Sequence, residues 1–156
     1  MSDNTMLNID RIYKAPIELV FKAWTEVEYL EQWWGPSGVT IPVCKFEAQE
    51  AGDIDIVMLA SQELGELAGT KWPMTGKVVE ILAPTKLVFT SSPVVDGKPV
   101  MDTKNTVTLE SIDANTTRLT LNIEVTNTTE AAKGPLSGMN IGWNQSLDRL
   151  ASLINR

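Results

Sequence analysis

The sequence predicts an α+β domain in which a curved antiparallel β-sheet packs against a long carboxyl-terminal helix. The helix is predicted by apolar residues near the end of the chain, which follow each other at steps of four, four, three and four residues. Because an α-helix turns once in 3.6 residues, these side chains form a single stripe that one face of the helix can bury. The stripe consists of Met139, Trp143, Leu147, Leu150 and Ile154.

A first strand and two short helices are predicted before the rest of the sheet. Polar and apolar residues alternate imperfectly over residues 7–13, and the alternation stops at Ala15 and Pro16. Proline suits the first turn of a helix because it lacks the N–H that this turn leaves unpaired. Apolar residues then recur at helical spacing until the Gly-Pro-Ser-Gly segment at 35–38. They are Ile17, Val20, Phe21 and Trp24 in the first helix, and Val27, Leu30 and Trp33 or Trp34 in the second.

Six further strands are predicted between residues 39 and 126. The last is the clearest, because four aliphatic residues between Leu119 and Val125 are separated by polar ones. Such alternation places the aliphatic groups on one sheet face and the polar groups on the other, which is typical of an antiparallel sheet with one face in water. The terminal helix then covers the apolar face. The predicted strands are 39–48, 53–60, 70–82, 86–92, 103–112 and 117–126.

Length and composition predict a single domain over residues 1–156, since no linker or charge block divides the chain. No apolar run approaches the roughly 18 residues that span a bilayer, so we expect no membrane insertion. The amino end lacks the basic start and apolar stretch of a secretory signal, and we therefore expect a cytoplasmic protein. The single cysteine, Cys44, cannot form an internal disulfide and is predicted to be a small buried side chain.

The charge and the absence of histidine exclude several classes of function. The net charge of −7 has the wrong sign for attracting phosphate backbones, and no Lys/Arg cluster interrupts it, so nucleic acid is not an expected partner. Without a histidine, and with one isolated cysteine, metal and thiol chemistry are not expected. The sequence therefore predicts neither a metal site nor a cofactor.

Several motifs resemble those of one known family over essentially the whole chain. In combination and in order, they are similar to the SRPBCC superfamily, and more narrowly to the family named after the activator of the heat-shock-protein-90 ATPase. The Ala-Pro that begins the first helix and the Trp-Trp-Gly-Pro that follows the second are the most specific. The motifs are RIYKAP at 11–16, VFKAWT at 20–25, WWGP at 33–36, Gly76, LVFT at 87–90, and Gly142 with Trp143.

The resemblance implies a START-like or Bet v-like helix-grip fold, in which a curved sheet grips the terminal helix over an apolar cavity. This scaffold carries lipid carriers, hormone receptors, aromatases, cyclases, resistance proteins and a co-chaperone domain, so it implies a cavity more than an activity. The co-chaperone resembles this chain only in its carboxyl-terminal domain, and its amino-terminal chaperone-docking domain has no counterpart in this sequence. We therefore do not expect stimulation of a chaperone ATPase.

The placement of tryptophan and methionine independently favours a pocket. Several tryptophans lie at the ends of predicted elements, where indoles often border openings, and methionine suits a pliable apolar lining. Gly142 beside Trp143 lets the helix approach the sheet closely or leaves space beneath it. The alternative is that all these side chains pack only against each other, as we expect for Trp24. The candidate ligand-binding residues are Trp33, Trp34, Met58, Trp72, Met74, Phe89, Met139, Trp143 and Leu147.

Catalysis is the second alternative, and it rests on isolated polar residues in apolar elements. Arg11 and Glu80 lie on predicted strands, and Asn140 or Asn144 lies at the start of the long helix. If these residues have only a structural role, Arg11 and Glu80 form an ion pair at the sheet edge. Alternatively, these residues face the cavity as an anchor for a polar ligand head or as an acid. An apolar pocket would raise the proton affinity of Glu80, which would support proton transfer to an enolisable substrate in a cyclase-like or hydrolase-like reaction.

The sequence thus favours binding of a small hydrophobic or aromatic molecule between the sheet and the terminal helix. An enzyme that uses a cavity acid and a co-chaperone-like interaction module stay open as alternatives. Neither the oligomeric state nor the identity of the ligand follows from these patterns.

Overall fold

The computed structural model describes residues 6–35, 38–95, 97–128 and 133–155. Strand β1 (Met6–Tyr13) leads into two short helices, α1 (Ile17–Thr25) and α2 (Val27–Trp33). Seven more strands follow, and α3 (Lys133–Ile154) is the long terminal helix. A 3₁₀ segment, Gln62–Leu67, joins β3 to β4. The strands after α2 are β2 (Val39–Phe46), β3 (Asp53–Ala60), β4 (Lys71–Leu82), β5 (Lys86–Val95), β6 (Lys98–Pro99), β7 (Met101–Asp113) and β8 (Thr116–Thr128).

The strands form one curled antiparallel sheet in the order β1-β8-β7-β5-β4-β3-β2, and the short β6 pairs with β5. Between β4 and β5 the register shifts after Val78, which is the irregularity of a β-bulge. Gly76 lies just before it, and a Cβ at this position would be 1.9 Å from the carbonyl oxygen of Thr90. Only glycine allows β4 and β5 to approach each other so closely here.

The core lies between the concave face of the sheet and the helices. The aliphatic residues of β8 alternate as predicted, and each of the four between Leu119 and Val125 is at most 2% exposed. The stripe of α3 packs on this face, with Leu147, Leu150 and Ile154 buried and Met139 and Trp143 partly buried. We call this side of the sheet the inner face.

The predicted α+β class and the order of its elements are confirmed. The 3₁₀ segment and β6 were not predicted, because they are short and carry no periodic pattern. Strand β5 continues to Val95 and β7 begins at Met101, so both are longer than the predicted 86–92 and 103–112. Residues 1–5, on which the expected location rests, and Pro36 of the Trp-Trp-Gly-Pro motif lie outside the described residues.

Among the described helices, none is long and apolar enough to cross a membrane.

Candidate functional site

Five aromatic rings from four elements meet under α3, and we call them the aromatic cluster. Trp24 of α1 lies at its centre, with its ring centroid 4.7 Å from that of Trp33 and 6.0 Å from that of Trp143. Edge-to-face and offset arrangements at such distances are favourable contacts between aromatic rings. The cluster consists of Trp24, Trp33, Trp34, Phe89 and Trp143.

Each element presents its ring for a local reason. Trp24 and Trp33 lie on the buried stripes of α1 and α2, and the Trp33 indole N–H donates to the Ala23 carbonyl at 2.8 Å. Trp34 follows the last residue of α2, and Phe89 points inward from β5. Four of the rings are buried, whereas Trp143 of α3 is only partly buried. The cluster is therefore reached from outside at Trp143.

The structure brings most of the predicted ligand-binding residues into one region. Met74 and Leu147 are buried in the same core as the cluster, and Met58 and Met139 pack against its border. Trp72 is half-buried and lies opposite Met58 on the neighbouring strand, at the beginning of β4. Trp24 is fully buried, as predicted for a core residue.

The predicted cavity does not coincide with either of two shallow clefts that the described residues form. One cleft is lined by side chains such as Ile12 and Ile112, and the other by side chains such as Asp53 and Lys77. Both lie on the outer face of the sheet. Beneath α3, the rings of the aromatic cluster occupy the space instead. A Cβ placed on Gly142 of α3 would meet no described atom within 4 Å, so the side-chain position of this glycine opens onto empty space.

A second feature of the inner face is a buried polar group, which we call the polar cluster. Ser91 of β5 lies directly opposite Thr103 of β7, and Asn105 lies opposite Phe89. The Asn105 amide donates to the Ser91 hydroxyl at 3.0 Å and to the Phe89 carbonyl at 3.2 Å. All three polar residues are at most 8% exposed, with Asn105 fully buried. The polar cluster thus lies beside the aromatic cluster at Phe89.

The sequence interpretation missed the polar cluster, although a signal was present. Val107 and Leu109 mark the inward positions of their strand, and residues two and four positions earlier share that side because a strand alternates with period two. Extending the alternation backward from Val107 places Asn105 and Thr103 on the inner face. Both side chains are polar, so a search for apolar alternation alone does not reveal them.

Arg11 anchors α3 to β1 rather than pairing with Glu80, so that predicted pair is wrong. Its guanidinium donates to the Asp148 carboxylate at 2.6 Å, and to the main-chain and side-chain oxygens of Asn144 at 3.2 and 2.9 Å. The Tyr13 hydroxyl donates to the Leu147 carbonyl at 3.2 Å. Burial raises the pKa of Tyr13 well above its ordinary value, which keeps this phenol protonated and able to donate.

Glu80 faces the outer side of the sheet. It lies opposite Val88, whose neighbours Leu87 and Phe89 point inward, so Val88 and Glu80 point outward. Its carboxylate pairs with Lys86 at 3.2 Å, and the Glu80 side chain is 37% exposed. The catalytic alternative requires a Glu80 carboxyl enclosed by apolar side chains, and this is not the arrangement found.

Arg149 connects α3 to the end of α2, which the sequence interpretation also missed. Its guanidinium donates to the main-chain carbonyls of Gln32, Trp34 and Gly35, each at 3.1 Å. The last carbonyls of a helix have no hydrogen-bond donor within the helix. Arg149 therefore supplies donors to carbonyls at the end of α2 that would otherwise be unpaired. Burial lowers the pKa of Arg149 from its ordinary value.

Cys44 is half-buried rather than buried, on the strand β2. Burial, with a smaller contribution from the carboxylate of Glu31, raises the pKa of its thiol to about 11. Such a thiol is a poor nucleophile at neutral pH. Over the described residues, no group of three or more Cys, Asp or Glu side chains is placed to share a metal ion.

This arrangement, a curled antiparallel sheet that holds a terminal helix over an aromatic core, defines a helix-grip domain. The family model of Activator of Hsp90 ATPase homolog 1-like proteins matches residues 14–155. The chain belongs to this family, as the resemblance of its motifs implied. Among curated proteins, none matches the chain.

Solved structures of bacterial proteins share the fold. A protein from Chromobacterium violaceum has a TM-score of 0.81 and 25% identity, with 97% of each chain covered. One from Nitrosomonas europaea has a TM-score of 0.74 and 26% identity, with 95% of this chain and 92% of that one covered. A family member from Silicibacter pomeroyi has a TM-score of 0.76 and 23% identity, with 95% and 96% covered.

Proposed function

We propose that this protein binds a small hydrophobic or aromatic molecule between the inner face of the sheet and α3. One observation carries the proposal. Trp143 is the one partly buried ring of the aromatic cluster, and a Cβ added to the neighbouring Gly142 would have no described atom within 4 Å. Such a gap next to an accessible indole offers an apolar molecule a way to the buried rings.

The position of Gly142 on α3 supports this. Ser146 lies one turn further along the helix, on the same side, and is 4% exposed. At Ser146 that side of the helix is turned toward the protein, and we infer that the open space at Gly142 continues into the interior. Leucine or another large residue at position 142 would fill it.

The composition of the region also supports the proposal. Ligand pockets are lined mainly by apolar and aromatic side chains, with a few polar groups that fix orientation. The aromatic cluster supplies such a wall, and the polar cluster lies next to it at Phe89. The family fold commonly holds hydrophobic ligands. We assign Trp34, Phe89, Trp143, Met139 and Leu147 to the lining, while a role for Met58 and Trp72 stays a prediction.

The test is a titration of the purified protein with neutral apolar compounds, among them 2-naphthol, indole and decanol. We expect at least one compound to raise the melting temperature and to bind saturably by calorimetry. The variant Gly142→Leu is expected to lower the affinity for that compound at least tenfold. Its melting temperature should not fall, because leucine favours a helix more than glycine does.

Ser152→Leu is the matched control, since it adds the same side chain to the exposed side of the same helix. It should bind the compound as the unmodified chain does. The proposal fails if no compound binds, or if Gly142→Leu binds with unchanged affinity. Chemical conversion of the bound compound would instead favour the enzyme alternative, and binding of a hydrophobic dye to the ligand-free protein would favour the interaction module.

A further inference from the structure

Each polar group of the polar cluster needs a hydrogen-bond partner, because burying a polar group without one costs free energy. The polar cluster has apolar neighbours on the inner face, since Val125 and Ile123 of β8 lie opposite Thr103 and Asn105. In such surroundings every donor and acceptor needs a partner. Counting the protons that the cluster can donate shows which of its acceptors is paired most weakly.

The cluster contains four protons, one on each hydroxyl and two on the amide nitrogen. The amide donates to the Phe89 carbonyl and to the Ser91 hydroxyl. The Thr103 hydroxyl donates to the Ser91 carbonyl at 3.0 Å, and the Ser91 hydroxyl then donates to Thr103 Oγ1. Asn105 Oδ1 accepts one long hydrogen bond, of 3.5 Å, from Thr103 Oγ1, and that hydroxyl also reaches the Ser91 carbonyl at the shorter distance of 3.0 Å. This carbonyl oxygen is therefore the most weakly paired acceptor of the polar cluster.

A buried donor without a partner lies on the other side of Phe89. The indole nitrogen of Trp24 is fully buried and has no hydrogen-bond partner among the described residues. The Trp24 and Phe89 ring centroids are 6.3 Å apart, and Asn105 lies directly opposite Phe89 on the neighbouring strand. A weakly paired acceptor and an unpaired donor thus lie on either side of Phe89, which is one of the residues assigned to the lining.

The two arginines that the structure describes at α3 are already engaged within the protein. Arg11 is bound to Asp148 and Asn144, and Arg149 to the carbonyls at the end of α2. An anionic ligand would have to break one of these arrangements, whereas a neutral ligand would not.

From these observations we propose that the ligand is a neutral, mainly apolar molecule with a hydroxyl group. The hydroxyl donates to Asn105 Oδ1, and an oxygen of the ligand accepts from the Trp24 indole N–H. This inference rests on the proposed function, since it specifies the ligand class of the same site. Asn105 and Trp24 are then the residues that determine specificity.

Four compounds of nearly equal shape test the ligand class on the unmodified protein. They are 2-naphthol, 2-methylnaphthalene, which lacks the hydroxyl, 2-methoxynaphthalene, which can only accept, and 2-naphthoate, which is anionic. We expect 2-naphthol to bind about 2- to 12-fold more tightly than 2-methoxynaphthalene, which is the usual worth of one net hydrogen bond. Its preference over 2-methylnaphthalene should be larger, because that compound can neither donate to Asn105 nor accept from Trp24. We expect 2-naphthoate to bind most weakly.

Variants assign the preference to a residue. Asn105→Leu removes the amide at similar volume and should abolish the preference for 2-naphthol over 2-methoxynaphthalene, while both compounds still bind. Thr103→Val is the matched control, because it alters the same buried cluster but leaves Asn105 Oδ1 in place, and it should retain the preference. In the NMR spectrum, the Trp24 indole N–H resonance should move downfield with 2-naphthol and not with 2-methylnaphthalene.

The outcomes separate this inference from the proposed function. Equal affinity for the first three compounds would overturn the inference and leave the binding function intact. Water molecules would then be the hydrogen-bond partners of Asn105 and Trp24. Tightest binding of 2-naphthoate would overturn the neutral ligand class. If none of the compounds binds, the proposed function itself fails. If Asn105→Leu does not fold, the comparison of compounds on the unmodified chain still decides.

Discussion

Trp143 of α3 stacks on Trp24 of α1, with ring centroids 6.0 Å apart and ring planes inclined by 18°. This contact joins the terminal helix to the first helix across the top of the aromatic cluster. It also places the partly buried indole against a fully buried one, so anything that binds at Trp143 acts on the centre of the core.

The stacked pair predicts a change in circular dichroism. Neighbouring indoles couple electronically, so Trp143→Phe should weaken the exciton signal of the tryptophans. The matched variant Trp72→Phe removes an indole that lies opposite Met58, outside the aromatic cluster, and should leave this signal intact. Equal losses in the two variants would contradict the stacked arrangement.

The contacts of Arg11 predict that the arginine matters more than its ion-pair partner. Arg11 is 24% exposed and Asp148 is 69% exposed, so their ion pair is well solvated. We expect Asp148→Ala to cost less than about 1 kcal/mol of unfolding free energy. Arg11→Met should cost about 1–3 kcal/mol, because the Asn144 oxygens lose their donor as well. Urea unfolding of both variants measures this, and equal costs would show that the ion pair alone matters.

Arg149 is expected to require the shape of its guanidinium and not only its charge. Its planar fork reaches three carbonyls at the end of α2, which a lysine ammonium cannot match. Arg149→Lys should therefore lower the unfolding free energy by about 1–3 kcal/mol. Arg118→Lys, at an exposed position beside Asp10, is the control and should change it by no more than about 0.5 kcal/mol. A similar small effect for Arg149→Lys would contradict the role assigned to it.

The raised pKa of Cys44 predicts slow alkylation and a loss of stability at high pH. In the folded protein, the rate of reaction with iodoacetamide should reach half its maximum near pH 11, against about 8.5 for an unfolded chain. Because folding raises this pKa, the associated stability is fully present below pH about 9 and is lost as the pH rises through 11.

Cys44→Ala isolates that contribution, since Tyr13 shifts in the same direction and is present in both proteins. The unmodified chain should lose more unfolding free energy than Cys44→Ala between pH 9 and 11. Parallel losses, or rapid alkylation of the folded protein at pH 8, would show that the thiol is not shielded.

The order of elements could be predicted because it depends on local periodicity. The stripe of α3 and the alternation in β8 both follow from single-chain spacing, and both are found as predicted. The partner of Arg11 could not be predicted, since it depends on how α3 lies across β1. The sequence places Arg11 and Glu80 on separate strands, and the sheet order then puts β8, β7 and β5 between them.

The candidate site was predictable only in its apolar part. Large apolar residues on inward positions meet in a core whatever the details, so Trp33, Trp34, Phe89 and Trp143 were found. The polar cluster depends on pairing between β5 and β7, which sets Asn105 opposite Phe89. Rotamers and ring packing decide how much space remains under α3, and these are not encoded in spacing.

The most direct test of the central claim is to locate a bound molecule by intermolecular NOEs. The compound of the panel that binds most tightly is added to isotope-labelled protein, and contacts from its protons are assigned. We predict NOEs to Trp143, Trp34 and Phe89 beneath α3. NOEs to Ile12 and Ile112 in the outer cleft, with none to these rings, would contradict binding between the sheet and the helix.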